Sequence, residues 1–206
     1  MIYIVKHIPY VNVELPNYVD IGVGKMFRHK GDNINYLNPY LNEMTALYDI
    51  WKNVDDDIVG MIHYRREFDY RGQTLTFTKA INVLKKYEII TTLDFIPPVT
   101  PYENLLRDVN THTLDKYLSQ LPQEVQEWFN HSNSFNTGNM FVCRKELIDK
   151  FCEWYFPMII PMAEQFMRED SNENFNHNRA LGFISERIFG YWCKDLNRYK
   201  LNFRMI

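Results

Sequence analysis

Asp57-Ile58-Val59-Gly60-Met61-Ile62-His63-Tyr64-Arg65-Arg66-Glu67-Phe68 is the stretch that decides the fold. Residues 58–62 are apolar without a break, which is the pattern of a strand buried on both sheet faces in an α/β protein. The run ends abruptly in a histidine, a tyrosine and two adjacent arginines. Ligands of open α/β sheets bind just outside the carboxyl ends of the strands. His63, Tyr64, Arg65 and Arg66 are therefore a candidate anion site.

Working outward, residues 2–5 read as a first buried strand, with Lys6-His7-Ile8-Pro9 as the loop at its carboxyl end. His7 shares a sheet edge with His63 if the two strands are parallel. Residues 18–23 are a second short strand. Asn33, Asn35 and Asn38 crowd a loop that ends in Asn38-Pro39, where Asn38 is the expected N-cap and Pro39 the first helical residue. The following helix carries Met44, Leu47, Tyr48 and Trp51 at i, i+3, i+4 and i+7, a stripe for packing on the sheet. Glu43 lies on its flank, either projecting toward a ligand or solvated at a helix start. Asp55-Asp56-Asp57 has metal-binding composition, yet it precedes the buried strand, at the wrong edge of the sheet, and reads as a charged turn.

Downstream, residues 69–76 read as a polar link, 78–87 as helix and 88–92 as strand, an alternation that indicates α/β architecture. Pro97, Pro98 and Pro101 open a helical insert over about residues 101–130, with His112 inside it and a last helix from Pro122. The polar loop 131–139 holds Asn136, Gly138 and Asn139 and feeds a buried strand at 140–143; it is either a turn or a close approach of backbone to a substrate hydroxyl. A helix from Lys145 presents Ile148, Phe151, Tyr155 and Ile159, and Pro157 and Pro161 are expected to kink or split it. Residues 171–178 read as a structureless, mobile link. In the helix over 179–193, Glu186 shares a face with Gly182, Gly190 and Cys193, small residues that leave room for something to approach. Glu186 is a candidate base, with an ion pair to Arg179 or Arg187 as the plainer reading. The tail 194–206 mixes basic and apolar residues and is expected to dock on the domain or lie against a membrane surface.

At 206 residues, 46% hydrophobic and 24% charged, the chain is expected to be one globular domain, 1–206. A net charge of −3, with no Lys/Arg run of five or more, argues against nucleic acid as a partner. Cys143, Cys152 and Cys193 are odd in number and set among apolar neighbours, so they read as reduced core thiols of a cytosolic protein. The aromatic share of 16% is assigned chiefly to the core. A metal-dependent hydrolase built on His7, His63 and His112 would need those residues to converge, and no ligand-like spacing supports it.

The chain also resembles a family, the bacterial polysaccharide-locus proteins grouped as domain of unknown function 4422 and regarded as glycosyltransferases. The resemblance rests on Asp32-Asn33-Ile34-Asn35 with Asn38, on Asn42-Glu43-Met44-Thr45-Ala46-Leu47-Tyr48 followed by Ile50-Trp51-Lys52-Asn53, and on Gly60 to Arg66. It continues through Asn139-Met140-Phe141-Val142 and Cys152-Glu153-Trp154-Tyr155-Phe156, and ends with Gly182-Phe183-Ile184-Ser185-Glu186-Arg187. Glu67 stands where the family carries an aromatic, and Lys6-His7-Ile8 where it carries His-Lys.

The resemblance implies a GT-A-like, Rossmann-type mixed and mostly parallel sheet flanked by helices. It also implies a nucleotide-sugar donor, a uridine diphosphate hexose of the galactose type, and a glycan or lipid-linked glycan acceptor for surface-polysaccharide synthesis. The expected place is the cytoplasm, at the inner face of the membrane if the chain makes peripheral contact there. In this frame His63-Tyr64-Arg65-Arg66 stands where GT-A enzymes carry a metal-binding Asp-x-Asp. Many of those enzymes use manganese or magnesium; here two guanidiniums suited to phosphate oxygens take the position, and no metal ligands are assigned. The expected roles are Glu186, Arg65, Arg66 and His63 in catalysis, His7, Asn33, Asn38, Glu43 and Tyr64 on the donor, and Asn136, Gly138 and Asn139 on the acceptor. The alternative is a non-catalytic nucleotide-sugar or carbohydrate-binding module of the same fold.

Overall fold

A computed structural model describes residues 1–8, 15–136, 138–172 and 174–205. Pro9 and Thr137, members of two of the loops quoted above, lie outside the described residues. The strands are β1 (Ile2–Lys6), β2 (Tyr18–Gly22), β3 (Ile58–His63), β4 (Arg66–Tyr70), β5 (Gln73–Thr74), β6 (Ile89–Thr92), β7 (Phe141–Arg144) and β8 (Arg198–Met205). The helices are α1 (Asn38–Leu41), α2 (Met44–Asn53), α3 (Phe77–Val83), α4 (Pro101–Leu105), α5 (Thr111–Leu118), α6 (Gln123–His131), α7 (Lys145–Glu169), α8 (Phe175–Asn178) and α9 (Ala180–Trp192).

The strands form one mixed sheet in the order β2-β1-β3-β7-β6-β8-β4-β5. Pairing is parallel at β2-β1, β1-β3 and β6-β8, and antiparallel at the remaining junctions. Antiparallel pairing thus takes a larger share than expected, because β7 is inserted beside β3 and β8 returns to pair with the β4-β5 hairpin.

The apolar run of β3 serves both faces, as its pattern requires. Val59 and Met61 join a large core with α2, α5, α6, α7 and α9, while Ile62 joins a smaller one under α3 with Phe68, Ile90, Val142 and Leu201. In α2 the expected stripe is present, but Tyr48 and Trp51 pack on Phe156 of α7 rather than on the sheet. Cys143, Cys152 and Cys193 are free and buried, and burial pushes all three thiols up. Among the described residues no helix is long and apolar enough to cross a membrane.

Local expectations are corrected or narrowed at five places. Asn38 is the first residue of α1 rather than an N-cap, and the helix breaks at Asn42, whose φ is +51°. α7 runs unsplit through Pro157 and Pro161; both prolines face solvent, where the carbonyls they free can be hydrated, while Phe151, Tyr155, Ile159 and Phe166 hold the opposite side. The described residues of the 171–178 link are organised by its asparagines: Asn174 caps α8 by accepting from His177 N, and Asn178 accepts from Asn172 N. The link after Phe68 is a β-hairpin. The tail forms β8 and docks on the sheet, the first of its two expected placements: Tyr199 and Leu201 face the smaller core while Arg198 and Lys200 bind Asp94.

Candidate active site

Parallel pairing of Val5 with His63 puts the carboxyl ends of β1 and β3 level. β7 runs the other way, with Phe141 opposite Met61. Asn136, Gly138 and Asn139, which precede it, therefore emerge at the same edge, as does Thr92 at the end of β6, which accepts from Asn136 Nδ2 at 3.0 Å. Sheet register alone thus brings His7, His63, Tyr64, Arg65, Arg66, Asn136, Gly138 and Asn139 to one rim.

His63 Nδ1 lies 3.6 Å from Glu43 Oε1, with side-chain exposures of 11% and 19%. Its Nε2 is buried without a hydrogen-bond partner among the described residues. Tyr64 is buried and its hydroxyl reaches His7 Nε2 at 3.4 Å, the two rings meeting edge-on. Arg65 lies over the Tyr64 ring, and Arg66, at the start of β4, over the Phe203 ring. Neither arginine has an ion-pair partner among the described residues. Glu67, the obvious candidate, is buried and taken by Arg204 of β8, and Asp69 accepts from Gly72 N. Gly138, at φ +100°, passes so close to Arg66 that a Cβ there would stand 3.1 Å from Nη1. Asn139 follows at φ +50°, buried, with its Oδ1 unpartnered.

Glu186 reaches this rim from α9. Of its two candidate partners Arg187 is the one used, at 2.9 Å, and Arg187 also donates to Asn104 Oδ1 of α4 at 2.7 Å. The helical insert thereby braces the glutamate from behind. Burial pushes the Glu186 carboxyl above the ordinary range, and the Glu43 charge adds to this; the opposing charges of Arg187, His63 and Arg66 do not cancel the effect. Burial also favours the neutral form of Glu43, but there His63, its own backbone N–H, Arg179 and Arg66 win and the carboxyl is held below the ordinary range. His7 is held below the usual histidine value by partial desolvation, with Arg65, Arg179 and His63 acting in the same direction against Glu43. Two glutamates in one site are thus driven in opposite directions, the arrangement by which acid–base roles are divided.

The other expected residues are placed differently. Asn33 makes a local turn with Gly31 and Asn35. Asn38 donates to Asn42 O and Thr45 Oγ1 and so shapes the α1–α2 break. The room beside Gly182 and Gly190 is filled by this chain itself: a Cβ at Gly182 would stand 1.9 Å from Asn42 Nδ2, and one at Gly190 2.9 Å from Asn136 N. Asp56 binds the Tyr3 hydroxyl near the opposite strand ends. His112 is exposed on α5, on the side of Asp170. No three His, Cys, Asp or Glu among the described residues are arranged to hold a metal ion, and Glu43 and Glu186 are engaged by His63 and Arg187. No local signal marks Arg179 and Arg187 as neighbours of this rim, because a helical wheel over 179–193 gives only a face, not the loop each residue meets.

A family model described as "Domain of unknown function (DUF4422)" matches residues 1–198. Among solved structures the chain is similar to one titled "WbbM bifunctional glycosytransferase apo structure", with 20% identity and a TM-score of 0.76. The match covers 100% of this chain and 45% of that one, so the chain spans less than half the length of that protein. At such identity the likeness is one of fold, and it supports the GT-A-like α/β reading. No curated protein matches the sequence.

Proposed function

The chain belongs to the DUF4422 family, and on that footing we propose that it is a glycosyltransferase that uses a nucleotide-sugar donor, a uridine diphosphate hexose of the galactose type, in surface-glycan synthesis. One observation carries this reading: Arg65 and Arg66 stand at the carboxyl edge of β3 without acidic partners among the described residues, while Glu43, Glu186 and Glu67 face His63, Arg187 and Arg204.

In the proposed reaction the bond from the sugar C1 to the donor diphosphate breaks and a bond from C1 to an acceptor hydroxyl oxygen forms. Negative charge grows on the departing diphosphate, and preorganised cations aimed at such charge lower the barrier by about 3 to 4 kcal/mol per well-placed group. Arg65, Arg66 and His63 supply them. Glu186, made more basic by burial, takes the acceptor proton. His7, Tyr64 and Glu43 line the donor side, Asn33 and Asn38 shape the loop beside it, and Asn136, Gly138 and Asn139 form the acceptor side. The acceptor is a glycan or lipid-linked glycan, and the reduced thiols support a cytoplasmic place, at the inner membrane face.

A panel of nucleotide sugars screened by thermal unfolding tests the proposal. A donor at a hundredfold its Kd adds about 2.7 kcal/mol of stability, so one uridine diphosphate hexose should raise Tm clearly above the others. No shift with any donor would overturn it. Arg65→Ala and Arg66→Ala should each lower transfer by about 10²- to 10³-fold in a folded protein. Donor binding without transfer or donor hydrolysis would favour the binding-module alternative.

A further inference from the structure

The rim holds a third guanidinium, that of Arg179 between α8 and α9. It lies between the rings of Phe175 and Phe183, 5.0 and 5.2 Å from their centroids. Its Nε donates to Asn42 Oδ1 at 3.0 Å. Among the described residues it has no ion-pair partner, and its two terminal nitrogens make no hydrogen bond. Its charge reaches Glu43 together with that of Arg66, and reaches His7 together with that of Arg65. Arg179 is thus the guanidinium felt by both residues, while Arg66 acts on Glu43 and Arg65 on His7.

Asn42 is held in place at some cost. Its φ of +51° is uncommon for a residue other than glycine, and its carbonyl accepts from both Asn38 Nδ2 at 3.0 Å and Thr45 Oγ1 at 2.9 Å. Gly182 lets it approach, since any Cβ there would collide with its amide. Two rings lie against the Arg179 guanidinium and one amide holds its Nε, while no described group takes its terminal nitrogens, which is how a planar donor is preorganised for a pair of oxygens. On the same rim His63 Nε2 is buried and unpartnered, as expected where a ligand completes the site.

We infer that Asn38, Asn42, Thr45 and Gly182 form a bracket that holds Arg179 as a third guanidinium for a phosphate group of the donor. This rests on the glycosyltransferase reading for the identity of the ligand, while the bracket itself rests on the contacts above.

Calorimetric titration of the full chain with uridine diphosphate and with inorganic pyrophosphate tests it. Arg179→Ala should weaken both ligands about 10- to 100-fold, and Arg179→Lys should recover only part, because an ammonium lacks the fork. Asn42→Asp keeps the shape and the tolerated φ but sets a carboxylate against Arg179; it should weaken both ligands as well, and it decides the matter if Arg179→Ala fails to fold. Unchanged affinity in the Arg179 and Asn42 variants, with loss in Arg66→Ala, overturns the bracket and leaves the arginine pair standing. Unchanged affinity in Arg65→Ala and Arg66→Ala, with loss in Arg179→Ala, does the reverse. Failure of the wild type to bind either ligand overturns both.

Discussion

Glu186 is the residue whose environment makes the sharpest demand. Its carboxyl lies beside Arg187, yet burial and the Glu43 charge keep it above the ordinary glutamate range. A base works only when ionised, so transfer should fall as pH drops through this raised value, with an acid limb at higher pH than an unperturbed glutamate would give. Glu186→Gln should remove that limb and lower kcat by about 10²- to 10⁴-fold, which a pH–rate profile of both proteins reads directly. An acid limb that persists in the variant assigns it to another group. Arg66 illustrates what a lone residue cannot reveal: an arginine next to Glu67 reads equally well as its ion-pair partner. Alternation along β4 sends Glu67 to the opposite face, where Arg204 takes it, and leaves Arg66 at the site.

At the scale of elements, β8 matters most. It pairs with β6 and β4 and so joins the hairpin that begins at Arg66 to the body of the sheet. Its register is held by Asp94, which accepts from Arg198 at 2.8 and 3.1 Å and from Lys200 at 2.5 Å. Burial favours the protonated form of Asp94, but the two cations outweigh it and hold the carboxyl below the ordinary aspartate range. A depressed carboxyl stabilises the fold above its unfolded value, and that stability is lost as pH falls through the folded one. Asp94→Asn should therefore cost about 1 to 3 kcal/mol near neutral pH, shrinking toward zero in strong acid, as urea titrations at two pH values would show. An equal loss at both pH values would contradict the assignment. The alternation of Tyr199, Leu201 and Phe203 with Arg198, Lys200 and Asn202 was present in the sequence as a strand signal, masked by the density of charge.

At the scale of the whole molecule, Arg65 and Arg66 are proposed to meet the donor diphosphate in place of a metal, and on that proposal transfer should survive chelation. Activity abolished by a chelator and restored by manganese would refute the arginine assignment and return attention to Asp55-Asp56-Asp57. The sequence by itself determined the α/β class, the central β3, the levelling of His7 with His63 once β1 and β3 are parallel, and the cation cluster at the strand end. These follow from local signals: an apolar run, a period of 3.6 or 2, a glycine beside asparagine. Only the tertiary structure decided that β8 enters the sheet beside β6, that Gly182 and Gly190 admit Asn42 and Asn136 rather than a ligand, and that Arg187 rather than Arg179 pairs with Glu186. Each of those outcomes is a choice among partners distant in sequence, settled by which surfaces the core leaves within reach, and no periodicity encodes that choice.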